Sequence, residues 1–114
     1  MSLPTEGKLL RVFVGESDRW EGRPLYEAIV LEARKRGLAG ATVIKGFMGF
    51  GAHSLIHTAK LLELSQDLPI IVEIVDAPAK IEAFMPELEK MVGDGLITIE
   101  RAEVQLYRTR RSTP

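Results

Sequence analysis

"LPIIVEIVD", residues 68–76, is a nearly unbroken apolar run of strand length that stops at an acid. β-Branched side chains dominate it, and apolar residues fall on both sides of the pleat, so it reads as a central strand. Asp76 is placed to cap the next element, a helix running through about Val92. Its apolar positions Ile81, Phe84, Met85, Leu88 and Val92 keep helical spacing. Pro86 removes one backbone hydrogen bond and is expected to bend it. Gly93, Asp94 and Gly95 end the helix. "LITIERAEVQLY" (96–107) then forms the last strand, continuous or broken near Arg101.

Upstream, "GATVIKGFMGFG" (40–51) is β-branched at its start and glycine-rich at its end, a strand leaving the sheet through a flexible mouth. Residues 52–66, with Leu55, Ile56, Ala59, Leu62 and Leu64, fit a short helix or an ordered loop. "PLYEAIVLEARKRG" (24–37) reads as a helix. Pro24 suits its first position, Leu25, Ile29 and Ala33 share a face, and Gly37 suits the C-terminal cap. "KLLRVFVGE" (8–16) alternates Leu9, Val12 and Val14 with other residues and is a strand, followed by the polar loop "SDRWEGR" (17–23). The order β-α-β-loop-β-α-β is the split-βαβ arrangement: an α+β, ferredoxin-like antiparallel sheet with two helices on one face. Its second face is bare, and the strands are apolar on both sides, so other subunits are expected to cover it.

The 114 residues amount to a single domain without internal repeats. Its core spans about residues 8–107, and the termini, 1–7 and 108–114, are expected to be flexible. Fifteen basic residues against sixteen acidic ones argue against electrostatically driven binding to nucleic acid or a membrane surface. The absence of cysteine excludes disulfides and fits a reducing cytoplasm. No apolar run approaches the ~20 residues that span a bilayer. "MSLPTEGK" lacks the regions of a signal peptide, so a cytoplasmic location is expected.

By spacing alone, Gly46, Gly49 and Gly51 form neither a Walker loop nor a dinucleotide-binding fingerprint. They fit a strand end that bulges and turns, with a phosphate-cradling loop as the alternative. His53 and His57, four apart, would share a helical face and suit Zn²⁺ or Cu²⁺. The nearest downstream carboxylate is Glu63, no third ligand is evident, and surface histidines are the plainer reading. Glu16 and Asp18 have no histidine or nucleophile tied to them, so no catalytic set is visible and a non-enzyme is expected. Trp20 fits packing better than stacking on a base, and Arg108, Arg110 and Arg111 fit a solvated tail or a phosphate contact.

The blocks "VFVGESDRWEGRPLYEAIV", "GFMGFGAHSLIHTAKLLELSQDLPIIVEIVD" and "IEAFMPELEKMV" resemble the PII-like family catalogued as domain of unknown function 190, in the GlnB-like superfamily. The resemblance covers about residues 8–107 and implies a usually trimeric protein of unassigned activity. Genes of that family often stand beside those of fluoride channels, which implies a partner at a membrane transporter or fluoride channel. More distantly, the layout resembles the PII signal-transduction proteins. These bind adenine nucleotides in clefts between subunits and signal through a long loop after the second strand. Gly40, Thr42, Val43, Lys45, Gly46, Gly49, Phe50 and Gly51 can be laid on the PII pattern there, with Phe47 and Met48 departing from it. Gly93, Asp94 and Gly95 match a phosphate-side turn that PII proteins follow with lysine, where this chain has Leu96. Arg108 and Arg110 correspond to a late basic pair.

The resemblance therefore implies a homotrimer that binds a small anionic ligand, such as an adenine nucleotide, through Gly49, Phe50, Gly51, Gly93, Asp94, Gly95, Arg108 and Arg110. Its loop 50–66 would act on a protein partner, without nucleic acid or direct membrane insertion. The alternative is a divalent-cation-binding trimer resembling the cation tolerance proteins, with His53 and His57 as its ligands.

Overall fold

Residues 5–51, 57–58 and 67–110 are described by the computed structural model. Along the chain run β1 (Glu6–Gly15), β2 (Arg19–Trp20), β3 (Arg23–Pro24), α1 (Leu25–Lys35), β4 (Thr42–Lys45), β5 (Met48–Gly49), β6 (His57–Thr58), β7 (Pro69–Asp76), α2 (Pro78–Met91) and β8 (Leu96–Glu103). Four of these strands pair antiparallel in the order β4-β7-β1-β8, so the apolar run of 68–76 is an inner strand, as its composition requires. Residues 52–56 and 59–66, and with them most of the expected loop 50–66, lie outside the described residues.

Period-two burial sets the core face. Leu10, Val12 and Val14 of β1 and Ile70, Val72 and Ile74 of β7 point to one side. Leu25, Ala28, Ile29 and Ala33 of α1 and Ile81, Phe84, Leu88 and Met91 of α2 close over them. Burial of each large side chain here stabilises the fold by roughly 1.5–3 kcal/mol. It is Leu10, not Leu9, that shares a face with Val12 and Val14. Leu9 lies with Phe13, Ile71 and Val75 on the opposite, half-buried face.

The helix ends show where local rules held. Gly37, at φ 77°, follows α1, its N–H bonds the Arg34 carbonyl and the Leu38 N–H bonds the Ala33 carbonyl, a Schellman closure. At α2 the N-cap is Ala77 with Pro78 at the first helical position, so Asp76 is not the cap. Its buried carboxylate instead accepts the N–H of Ala77 (2.6 Å) and, across the fold, that of Ala39 (2.8 Å). The expected polar loop 17–23 contains a two-residue hairpin. Glu21 (φ 48°) and Gly22 (φ 85°) form its turn, the paired positive φ values of a type I′ connection. The last strand is continuous through Arg101 but stops at Glu103, where its partner β1 begins at Glu6. The chain beyond it is tied down by the Val104 N–H on the Thr5 carbonyl (2.6 Å) and by the Tyr107 hydroxyl donating to the Ala39 carbonyl (3.0 Å).

Candidate functional site

Strand register gathers the glycine-rich segments at one end of the sheet. Gly15 pairs with Pro69, Lys45 with Ile70 and Phe13 with Leu96, so β1 and β4 end where β7 and β8 begin. The root of the loop after β4 lies flat on Pro69. The Gly46 N–H bonds the Pro69 carbonyl (2.8 Å), and a Cβ would stand 2.8 Å from the proline Cγ at Gly46 and 3.0 Å at Gly49. Glycine is needed there for close backbone approach. At Gly95 a Cβ would meet the Phe13 carbonyl oxygen at 2.6 Å and Val92 Cγ1 at 2.9 Å, whereas at Gly93 it would meet nothing within 4 Å. The Gly93–Gly95 turn is thus pinned at its second glycine and open at its first. Phe47 and Phe50 project into solvent, 72% and 71% exposed, and Asp94 is exposed as well.

Charges at this end are already engaged. Asp18 accepts the Gly15 N–H and Asp67 the Ser17 N–H, both at 2.9 Å. Lys45 Nζ stands 2.7 Å from a Glu16 carboxylate oxygen. Lys45 is the cation that the sequence-based site omits, although its place one residue before Gly46 in the PII pattern pointed to it.

The expected ligand residues do not converge within one copy. Gly49 rests on Pro69 at the start of the inner strand β7, whereas Gly95 rests on Phe13 of β1 beside the β8 edge. Arg108 and Arg110 leave from the far end of β8, where Glu103 pairs with Glu6, and both are exposed. A surface recess of about 230 Å³, lined by Trp20, Arg23, Leu31, Lys35 and Met91 among others, contains none of the expected ligand residues. Trp20 itself is half-buried and packs against the core.

His53 lies outside the described residues, and His57 is described only as the strand partner of Gly49. Among the described residues no group of three or more His, Asp or Glu is placed to hold a metal, and no helix is long and apolar enough to cross a membrane.

Residues 7–104 match the family described as DUF190, Uncharacterized ACR. A UPF0166 protein of Aquifex aeolicus is 43% identical over 97 residues, which cover 85% of this chain and 91% of that protein. A UPF0166 protein of Methanocaldococcus jannaschii is 33% identical over 100 residues, 87% of this chain and 92% of its relative. Among solved structures, CPII of Thiomonas intermedia K12 is a nitrogen regulatory PII-like protein bound to ADP, AMP and bicarbonate. It superposes with a TM-score of 0.60 at 17% identity, over 87% of this chain and 88% of CPII. At that identity the likeness is one of fold, and the fold is PII-like.

Proposed function

The chain belongs to the DUF190 family, and from that membership and its PII-like fold we propose a non-enzymatic regulator acting in the cytoplasm. In this proposal it is a homotrimer that binds an adenine nucleotide in clefts between subunits. The observation that carries it is the placement of the ligand residues. The glycine loop root and the Gly93–Gly95 turn share one end of the sheet, and Arg108 and Arg110 leave from the other end. Residues so separated meet around one ligand only if neighbouring copies contribute them. CPII, of like fold, is known bound to ADP and AMP, which supports the ligand class.

Gly49 and Gly51 let the loop backbone approach the ligand closely, with Phe50 between them against the base. Turn N–H groups at Gly93, Asp94 and Gly95 donate to phosphate oxygens, as successive amides in a turn do for anions. Arg108 and Arg110 of a neighbouring copy neutralise the phosphates. Binding acts through the loop 50–66 on a protein partner, a membrane transporter or fluoride channel, by shifting the population that the partner recognises.

Calorimetry with ATP, ADP, AMP and cyclic nucleotides tests the ligand, alongside light scattering for the mass. The expected result is a trimer that binds one adenine nucleotide per subunit, with binding lost on Arg108→Ala/Arg110→Ala. A folded trimer that gives no heat with any of them removes the nucleotide; a monomer removes the clefts.

A further inference from the structure

The sheet face opposite the helices is patterned in rows. Pairing of Thr42 with Glu73, Glu73 with Arg11 and Arg11 with Thr98 lines these four residues up across all four strands. The adjacent row toward the glycine end is wholly apolar: Ile44, Ile71, Phe13 and Leu96. On the other side Val75 pairs with Leu9, and Leu9 with Glu100. A polar stripe, joined by Glu100 from the next row, therefore crosses a largely apolar face, and the helices pack on the other side.

Arg11 is the centre of the stripe. Its Nε bonds Glu73 at 2.9 Å and its Nη1 bonds Glu100 at 2.8 Å. The Arg11 and Glu73 side chains are about a third exposed (34% and 30%) and that of Glu100 is 57% exposed. A guanidinium has five N–H groups and a carboxylate two acceptor oxygens, so these two bonds leave capacity on every member. The hydrogen bond to Glu73 also raises the pKa of a guanidinium that is charged at any working pH. One cation with two anions, flanked by threonine hydroxyls, presents donors and acceptors together. That is the chemistry of a self-complementary surface, and it fits a second copy of this chain.

We infer that Arg11 sets the register in which copies of this chain pack on their open sheet faces. On assembly its remaining N–H groups take up carboxylate oxygens of the neighbouring copy's stripe, and the apolar rows are buried beside them. The inference rests on the trimer proposed above and adds what aligns it. Once water is excluded, removal of the guanidinium leaves two carboxylates buried without a cation, the costly half of a broken buried pair. Replacing all three charges by neutral groups of similar size avoids that cost.

The test is sedimentation velocity over a dilution series for the wild type, Arg11→Met, Arg11→Lys and the triple variant Arg11→Met/Glu73→Gln/Glu100→Gln, with circular dichroism as the check of folding. Arg11→Met is expected to raise the dissociation constant roughly a hundredfold or more while keeping the wild-type spectrum. The lysine variant, which loses the planar fork but keeps the charge, is expected to fall between them. The triple variant is expected to associate again. A trimeric wild type whose Arg11→Met variant dissociates within about twofold of it overturns the role of Arg11. If Arg11→Met does not fold, an unchanged constant for Arg11→Lys overturns it instead. A wild type that is monomeric throughout overturns the trimer on which the inference rests.

Discussion

Replacing Asp76 by alanine tests the contact that ties the α1–β4 connection to the end of β7. The residue is 2% exposed, and its carboxylate accepts the backbone N–H groups of Ala39 and Ala77. Alanine leaves both donors without their acceptor. A hydrogen bond to a charged group contributes about 1.5–3 kcal/mol, and the bond to the adjacent Ala77, being local, counts at or below the low end. The sum is a loss of about 3 kcal/mol, against the roughly 5–15 kcal/mol that hold a domain together. With a urea slope of about 1.5 kcal/mol/M, the unfolding midpoint falls by about 2 M. Asp76→Asn keeps one acceptor oxygen and is expected to lose about half as much. Both are measured at one protein concentration, because association adds to apparent stability. A midpoint shift under about 0.5 M for Asp76→Ala, or equal losses for the two variants, refutes the assignment of Asp76 as the anchor of the α1–β4 connection.

Two further outcomes follow from the same structure. Gly95→Ala is expected to cost about 1–3 kcal/mol, because its Cβ would lie 2.6 Å from the Phe13 carbonyl oxygen. Gly93→Ala, with open space around it, is expected to stay within about 0.5 kcal/mol; thermal melts that show equal effects contradict the steric assignment. Arg36 hydrogen-bonds Glu32 at 2.6 Å and thereby holds its carboxyl below the ordinary carboxylate value. A lowered folded-state pKa gives stability that is present above the unfolded value and lost as pH falls through the folded one. Wild type minus Glu32→Gln should therefore show a small positive difference in melting temperature near neutral pH that vanishes in acid. The pair is exposed, so a difference that grows on acidification would show the sign to be wrong.

Much of this fold was legible because periodicity is a local signal. Residues 68–76 gave an inner strand, and Leu25, Ile29, Ala33, Ile81, Phe84 and Leu88 gave two helix faces that are buried as expected. What escaped was set by partners. The doubled leucine at 9–10 leaves the strand's phase open until β7 and β8 dock on it. The last strand alternates acceptably to Tyr107, but its ladder with β1 ends at the Glu6–Glu103 pair, a limit that only the partner strand reveals. Asp76 looks like a cap because acids often cap helices, yet its chief partner lies 37 residues away. The hairpin at 19–24 turns on Glu21 and Gly22 rather than Asn-Gly or Asp-Gly, and its strands are too short for any alternation to show. In the candidate site, Gly93 and Gly95 look identical in a motif and differ entirely in surroundings.

The glycine end of a single copy is poorly suited to hold an anion unaided, and this bears on how ligand and assembly are related. Asp18 and Asp67 sit there with backbone N–H groups as partners, and Lys45 is neutralised by Glu16. That ion pair is exposed and contributes at most about 1 kcal/mol, so an incoming phosphate can exchange for Glu16 at little cost. The further positive charge in the proposed function is that of Arg108 and Arg110, which leave from the other end of the sheet. Under the proposed function a nucleotide therefore binds the assembled form and hardly at all the separate subunit. Such a ligand stabilises the assembly by RT ln(1 + [L]/Kd), about 2.7 kcal/mol per site at a hundredfold excess over Kd. By the same linkage, whatever aligns the sheet faces also sets nucleotide affinity, although no residue of the Arg11 stripe stands among the proposed ligand contacts.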